Sequence, residues 1–161
     1  MQRYSQINAY ELQGVVLTGV AIGSDHAGYS LKCLILAHLQ QAGFKVEDFG
    51  TFSDDRVDYP DYGALVGRAV ADGEFSSGIV VCGSGIGIVM AAGKIPGIRA
   101  ATIHDTTSAR LAREHNDANV IGLGARLVGE QTALDAVDAY LRAVFLGGRH
   151  ADRVKKLNLL D

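Results

Sequence analysis

A cysteine directly before a glycine-rich turn is the strongest chemical signal in this sequence. The run consists of Cys82, Gly83, Ser84, Gly85, Ile86 and Gly87 and follows an apolar segment. A turn of this kind, when it opens a helix, exposes backbone N–H groups that suit a negatively charged ligand. A thiol beside such groups is a candidate for thiolate chemistry, whereas buried packing is the alternative interpretation of Cys82 taken alone. The turn therefore predicts an oxyanion site with Cys82 beside it.

Two nucleotide-binding loops fit the same turn less well. A P-loop needs four residues between its glycines and then Lys-Ser or Lys-Thr, but five residues separate Gly87 from Gly93-Lys94, and Ile95 follows. The dinucleotide fingerprint requires its third glycine one position later, although Asp105 stands at about the right distance for its acidic residue. The spacing thus excludes the P-loop and disfavours a nicotinamide enzyme.

Polar residues at three other places could take part in the chemistry. Asp25 and His26 open a loop after an apolar strand, where packing does not require polar side chains. Residues 115–117 (His-Asn-Asp) end a predicted helix, and either a functional role or turn chemistry explains them. Arg149 and Arg153 have the i, i+4 spacing of one helix face, which indicates a phosphate site or a solvated basic face.

Strand-like and helix-like segments alternate from Val15 to the end of the chain. Strands are predicted at 20–23, 44–49, 78–82, 98–103 and 119–122, and helices at 31–39, 62–71, 88–92, 106–114, 133–145 and from about 149. This alternation predicts an α/β fold with a parallel sheet that helices cover on both faces. In such sheets ligands bind at the carboxyl ends of strands, where Asp25, Cys82 and His104 stand.

The composition indicates one folded domain and excludes several classes of protein. The 161 residues suit a single domain at residues 17–161 after an N-terminal extension at residues 1–16, to which no function is assigned. A net charge of −3 with scattered basic residues argues against a nucleic-acid partner. Without a secretion signal or a long apolar run, we expect a cytoplasmic protein with no membrane partner. The two cysteines make no disulfide framework, Cys33 is expected in the core, and no His-x-x-x-His pair predicts a metal site.

Taken together, the ordered motifs resemble the ribose-5-phosphate isomerase B family, which also includes the galactose-6-phosphate isomerase subunits. The matching stretches are residues 23–28 (GSDHAG), 58–60 (DYP), 82–87 (CGSGIG), 97–100 (GIRA), 113–119 (REHNDAN), 124–126 (GAR) and 147–150 (GGRH). The resemblance extends from about Val20 to Leu157. Several ordered motifs at compatible spacing are far more specific than any one of them.

The resemblance implies a Rossmann-like, three-layer α/β sandwich with a parallel, mostly five-stranded sheet. It implies a homodimer or a dimer of dimers with shared active sites, and neither a metal ion nor an organic cofactor. The implied activity is that of the pentose phosphate pathway isomerase that interconverts ribose 5-phosphate and ribulose 5-phosphate through an enediolate. One branch of the family has a glutamate base just after the glycine turn, but Ile88 stands there, so Cys82 is implied as the base.

The resemblance also assigns roles to the matching positions. Cys82, Ser84 and His115 are implied as catalytic residues, with His115 as the acid and base that opens the sugar ring. His26 and three arginines are implied to bind the phosphate, two of those arginines from a neighbouring subunit. The full set implied to bind the sugar hydroxyls, the enediolate oxygen or the phosphate is Asp25, His26, Tyr59, Gly83, Gly85, Ile86, Gly87, Asn116, Arg126, Arg149 and Arg153.

Two alternatives remain open from the sequence. The same chemistry could act on galactose 6-phosphate, allose 6-phosphate or a four-carbon phosphate, because chain length is read by the shape of the pocket. A non-catalytic module could instead bind a sugar phosphate or a nucleotide without turnover. The joint presence of Cys82, Ser84 and His115 counts against that module, and a single chain with base and phosphate ligands favours ribose 5-phosphate and a homo-oligomer.

Overall fold

The computed structural model describes residues 19–160, so the predicted extension at residues 1–16 lies outside the described part of the chain. The strands are β1 (Val20–Ser24), β2 (Val46–Asp48), β3 (Ser77–Cys82), β4 (Ala100–Thr102) and β5 (Val120–Gly124). The helices are α1 (Tyr29–Gln41), α2 (Tyr59–Ala71), α3 (Ile86–Ala92), α4 (Thr106–Asn116), α5 (Glu130–Arg142) and α6 (Arg149–Asn158), and a 3-10 turn at His26–Gly28 precedes α1. None of the helices within residues 19–160 has the length and apolar character needed to cross a membrane.

The five strands form one parallel sheet in the order β2-β1-β3-β5-β4. From β1 the chain first builds to one side of the sheet, with β2, and then to the other side, with β3. The order therefore switches between β1 and β3, and the crossover connections leave a crevice there. The predicted α/β fold with a five-stranded parallel sheet is confirmed.

One hydrophobic cluster covers each face of the sheet and makes the fold a three-layer sandwich. Ile79 and Val81 of β3 pack with α1, α4 and α5, whereas Val80 and Cys82 pack with α2 and α3. Alternate side chains of a strand point to opposite faces, so a strand covered on both faces is apolar throughout. This explains the unbroken apolar run of β3 and places the Cys82 side chain on the α2–α3 side.

Several element boundaries differ from those predicted by the sequence. The edge strands β2 and β4 have three residues each, shorter than the predicted 44–49 and 98–103, and each pairs with a single neighbour. Helix α2 begins at Tyr59 rather than Tyr62, because Pro60 fits the first turn of a helix. Helix α5 ends at Arg142 rather than at 145, since Ala143 adopts extended backbone with φ −72° and ψ 147°.

The expectation that Cys33 belongs to the core is wrong. Cys33 is half-buried, while the neighbouring Lys32 has no exposed surface. The apolar stripe of α1 that faces the sheet consists of Leu31, Ile35 and Leu39, at helical spacing. Cys33 lies off that stripe, and Lys32 is buried because its ammonium has an ion-pair partner inside the protein.

Candidate active site

A cavity of about 350 Å³ opens at the carboxyl ends of β1 and β3, at the switch point of the sheet. Its lining residues are Asp25, His26, Ala27, Tyr59, Cys82, Gly83, Ser84, Gly87, Arg126 and Leu127. Three loops after strands β1, β3 and β5 thus converge with the start of α2. A crevice of this size at this place in an α/β sheet suits a small ligand.

The thiol of Cys82 lies at the end of β3 and is 4% exposed. Its Sγ accepts a hydrogen bond from the backbone N–H of Gly85 over 3.1 Å. Gly85 has a φ of +75°, and a Cβ there would lie 2.7 Å from the backbone carbon of Leu123. Only glycine combines that conformation with that close approach, so the turn directs its N–H at the sulfur. Such a donor is the partner that a negatively charged acceptor requires.

The glycine turn is held against the end of β5. The N–H groups of Ala125 and Arg126 donate to the carbonyl oxygens of Cys82 and Gly83 over 2.8 and 3.0 Å. The hydroxyl of Ser84 accepts from the N–H of Ile86 over 3.3 Å and lines the cavity. The two backbone bonds fix the turn to the end of β5 and bring the Arg126 side chain next to Gly83.

The loop after β1 supplies Asp25 and His26 to the same cavity. The Asp25 carboxylate, 7% exposed, accepts from the N–H of Gly28 over 3.0 Å, and its own N–H donates to the carbonyl of Val81 over 3.1 Å. The Nδ1 atom of His26 lies 3.1 Å from the carbonyl oxygen and 3.3 Å from the N–H nitrogen of Val57. Either tautomer of His26 therefore finds a partner in the same residue of the loop before α2.

Tyr59 closes the cavity from the start of α2. Its ring packs directly over Gly87, where a Cβ would approach the ring to 2.7 Å. Glycine at position 87 thus allows an aromatic side chain to lie flush against the turn that follows Cys82. Tyr59 is 42% exposed and lines the cavity.

His115, Asn116, Arg149 and Arg153 do not line this cavity. They lie on the last turn of α4 and the first turns of α6. The rings of His115 and His150 stack with 4.3 Å between centroids and 10° between planes. Burial, followed by the positive charges of His115, Arg149 and Arg153, lowers the pKa of His150 below its ordinary value of 6.5. His115, Arg149, His150 and Arg153 thus form a basic cluster outside the cavity.

The end of α4 is itself held by a charged cluster. Asp117 caps the helix in the left-handed conformation, with φ 47°, and its carboxylate pairs with Arg99 at 2.9 Å and Arg113 at 3.0 Å. Arg99 also donates to the side-chain oxygen of Asn158 at the end of α6. These contacts fix the position of His115 and Asn116 relative to α6.

The topology places the two sets at opposite ends of the strands. Residues after α4 return to the amino end of the sheet, where the carbonyl of Asn119 accepts from the N–H of Gly78 over 2.8 Å. Cys82 is four residues further along β3, a span of about 13 Å along the strand. His115 and Cys82 of one chain therefore lie at opposite ends of the sheet.

Of the predicted site residues, eight come together in the cavity: Asp25, His26, Tyr59, Cys82, Gly83, Ser84, Gly87 and Arg126. Gly85 and Ile86 belong to the same turn without lining the cavity. Sequence reasoning missed Ala27 and Leu127, which line it as well. Both directly follow a predicted residue, but an apolar side chain carries no chemical signal of its own. Within residues 19–160, no group of three His, Cys, Asp or Glu side chains is arranged to hold a metal ion.

Comparison with known proteins identifies the family. The family model described as Ribose/Galactose Isomerase matches residues 20–157. Ribose-5-phosphate isomerase B of Escherichia coli strain K12 is 47% identical over 142 residues, which cover 88% of this chain and 95% of that protein. The structure of ribose-5-phosphate isomerase B from Clostridium thermocellum is 53% identical with a TM-score of 0.87, over 88% of this chain and 95% of that chain. The structure from Mycoplasma genitalium with bound ribulose-5-phosphate is 40% identical with a TM-score of 0.84, over 88% and 94%. This chain therefore belongs to the ribose/galactose isomerase family, as its motifs predicted.

Proposed function

We propose that this protein interconverts ribose 5-phosphate and ribulose 5-phosphate, with Cys82 as the base. It is a sugar-phosphate isomerase by family, and the relatives named above are ribose-5-phosphate isomerases. One observation carries the assignment of the base: Cys82 Sγ lies in the wall of the cavity and accepts a hydrogen bond from the N–H of Gly85. The turn donates a second such hydrogen bond, from the N–H of Ile86 to the hydroxyl of Ser84.

The reaction moves a proton between two neighbouring carbons. The Cys82 thiolate takes the proton from C2 of the open-chain aldose, and the C–H electron pair forms the C1–C2 double bond while O1 becomes an oxyanion. The O2 proton passes to O1, and an O2 electron pair forms the C2=O bond as the electron pair of the C1–C2 double bond takes the proton back from the thiol at C1, which gives the ketose. One group can shuttle the proton both ways, because C1 and C2 are adjacent.

The glycine turn would stabilise the enediolate oxygen. Backbone N–H groups of residues 83–87 and the Ser84 hydroxyl lie next to Cys82 and are fixed before substrate arrives. Donors that are already in place cost no reorganisation in the transition state, and one such donor contributes about 2.7–4 kcal/mol. Asp25 and Tyr59, on the other walls of the cavity, would hold the sugar hydroxyls.

The remaining substrate contacts would come from two subunits. His26 and Arg126 line the cavity and would bind the phosphate from one subunit. His115, Asn116, Arg149 and Arg153 lie at the opposite, amino end of the sheet, so a second copy would have to supply them. Two exposed apolar side chains, Ile86 in the glycine turn and Met90 on α3, support a subunit contact there. We infer a homodimer or a dimer of dimers, acting in the cytoplasm.

The test is conversion of ribose 5-phosphate by purified wild type, Cys82→Ala and Cys33→Ala, with EDTA present throughout. Cys33 is the matched control, because it is the other free cysteine and lies half-buried on α1. We expect turnover by wild type and Cys33→Ala and none by Cys82→Ala. Near-normal turnover by Cys82→Ala would assign Cys82 to packing. If wild type is inactive, ribose 5-phosphate is excluded as the substrate, and six- and four-carbon sugar phosphates are tested next.

A further inference from the structure

Lys32 is a fully buried cation outside the cavity. Its ammonium donates to both carboxylate oxygens of Asp48, at 2.7 and 2.5 Å, and to the carbonyl oxygen of Thr51 at 2.7 Å. The rings of Tyr29 and Phe52 lie 5.4 and 5.2 Å from the nitrogen. An ammonium has three N–H donors, so these acceptors use its full capacity.

Core stability alone does not account for this charge. Removing an ammonium from water is costly, and replacement of a buried ion pair by apolar side chains of similar volume is often neutral or stabilising. The nearby stripe of α1 is already apolar at Leu31 and Ile35. A role beyond packing should therefore appear in what the ammonium holds in place.

The pair holds a short segment of backbone against the end of β1. Besides Lys32, the Asp48 carboxylate accepts from the N–H of Gly50 over 2.9 Å. The carbonyl of Gly50 accepts from the N–H of Ser24 over 2.6 Å, and the N–H of Thr51 donates to the carbonyl of Ser24 over 2.8 Å. Residues 48–51 are thus fixed to the residue that directly precedes Asp25.

The held segment continues into a wall of the cavity. Residues 52–58 are mostly exposed and lead directly to Tyr59. Near the end of that stretch, Val57 contacts the Nδ1 atom of His26. Because the stretch has little burial of its own, its path depends on how its two ends are fixed. Lys32 fixes the amino-terminal end of this stretch. The carboxyl-terminal end contacts His26 through Val57 and continues into Tyr59.

We propose that Lys32, paired with Asp48, is a positioning residue for substrate binding. It orders residues 48–59 and so sets the places of Asp25, His26 and Tyr59 without touching substrate. The inference rests on the proposed function, in which these three side chains bind the sugar phosphate. It adds to that function a residue on α1, away from the cavity lining.

The test compares Lys32→Met with His38→Ala. His38 is the matched control, because it lies on the same helix and its Nε2 pairs with Asp138 of α5 at 2.8 Å, away from the cavity. For Lys32→Met we expect the KM for ribose 5-phosphate to rise about ten-fold or more while kcat changes less, since remote binding is lost. Hydrogen exchange should become faster at amides 50–59 and stay unchanged in β5. His38→Ala should keep the wild-type KM.

Unchanged KM in a folded Lys32→Met protein overturns the inference, whatever its melting temperature. If Lys32→Met does not fold, Asp48→Asn replaces it, because it keeps the shape of the side chain and removes the countercharge; the same two readouts then decide. If wild type itself does not convert ribose 5-phosphate, the proposed function is wrong. In that case hydrogen exchange alone decides the inference: faster exchange confined to amides 50–59 supports it, and equal exchange overturns it.

Discussion

The backbone N–H of Gly85 donates a hydrogen bond to Cys82 Sγ over 3.1 Å. Gly85 follows Cys82 by three residues and has left-handed backbone. The sulfur thereby receives its donor from a residue that has no side chain. A Cβ on Gly85 would meet the backbone of Leu123 on β5, so the packing of two neighbouring strands determines the polar environment of the thiol. The geometry of the proposed base is therefore a property of the sheet as much as of the turn.

Gly85→Ala should lower kcat at least ten-fold while the protein remains folded at 25 °C. The new methyl group must move the turn away from β5, and the N–H then loses its aim at Cys82 Sγ. Gly73→Ala is the matched control, because Gly73 has a similar φ of +78° but no atom within 4 Å of the added Cβ. Both variants should melt at a lower temperature than wild type, since left-handed backbone costs a non-glycine residue about 1–2 kcal/mol. Equal kcat values in the two variants would contradict the role of Gly85.

Ser84→Ala should reduce kcat about 10²–10³-fold and change KM little, because an oxyanion donor acts mainly in the transition state. Steady-state kinetics with ribose 5-phosphate measure both constants. Ser76→Ala is the control: Ser76 lies directly before β3, at the amino end of the sheet, and its hydroxyl donates to the carbonyl of Gly19. A raised KM with an unchanged kcat would show that Ser84 binds substrate and does not stabilise the enediolate.

The sheet and the cavity could be read from the sequence for a physical reason. A strand between two helical layers is apolar on both faces, so β3 stands out as a continuous run. Loops at the carboxyl ends of parallel strands meet, which is why Asp25 and Cys82 could be assigned to one place before any distance was known. The same rule also placed His104 there, but His104 does not line the cavity. The short edge strands β2 and β4 each have only one neighbouring strand, so their apolar pattern in the sequence is weaker and their predicted bounds were too long.

Lys32 could not be predicted, because its burial depends on a partner sixteen residues away on an edge strand. A lysine beside an apolar stripe is usually an exposed residue with a solvated head group. The separation of His115 from Cys82 was also not predicted, because a sequence motif gives the order of residues along the chain and not the end of the sheet at which they lie. The resemblance implied catalytic roles for Cys82 and His115, and the topology places the two residues at opposite ends of the strands, about the length of β3 apart.

Mixing two inactive variants should restore activity if sites are shared between subunits. Cys82→Ala and His115→Ala would each inactivate every site of their own dimers. A mixed dimer has one site with both substitutions and one intact site, so random pairing should return about a quarter of wild-type activity. The measurement is turnover after the two proteins are unfolded together and refolded, or co-expressed.

The control mixture combines His115→Ala with Arg149→Ala at low substrate concentration. Both residues belong to the α4–α6 side, so each site of a mixed dimer carries one of the two substitutions and no intact site forms. Recovery only in the Cys82→Ala mixture supports shared sites. No recovery in either mixture, with mixed dimers present by mass, would mean that each subunit works alone.

The stacked pair of histidines predicts how stability changes with pH. Burial and the charges of His115, Arg149 and Arg153 lower the pKa of His150 in the folded state below 6.5. The unfolded chain therefore binds a proton at His150 more readily, and the free energy of unfolding should fall as the pH decreases from 7 to 5. His150→Gln removes this titratable group. The free energy of unfolding of the variant, measured by urea denaturation at each pH, should therefore fall less steeply with decreasing pH than that of wild type. Equal slopes for wild type and His150→Gln would show that protonation of the stacked ring does not oppose folding.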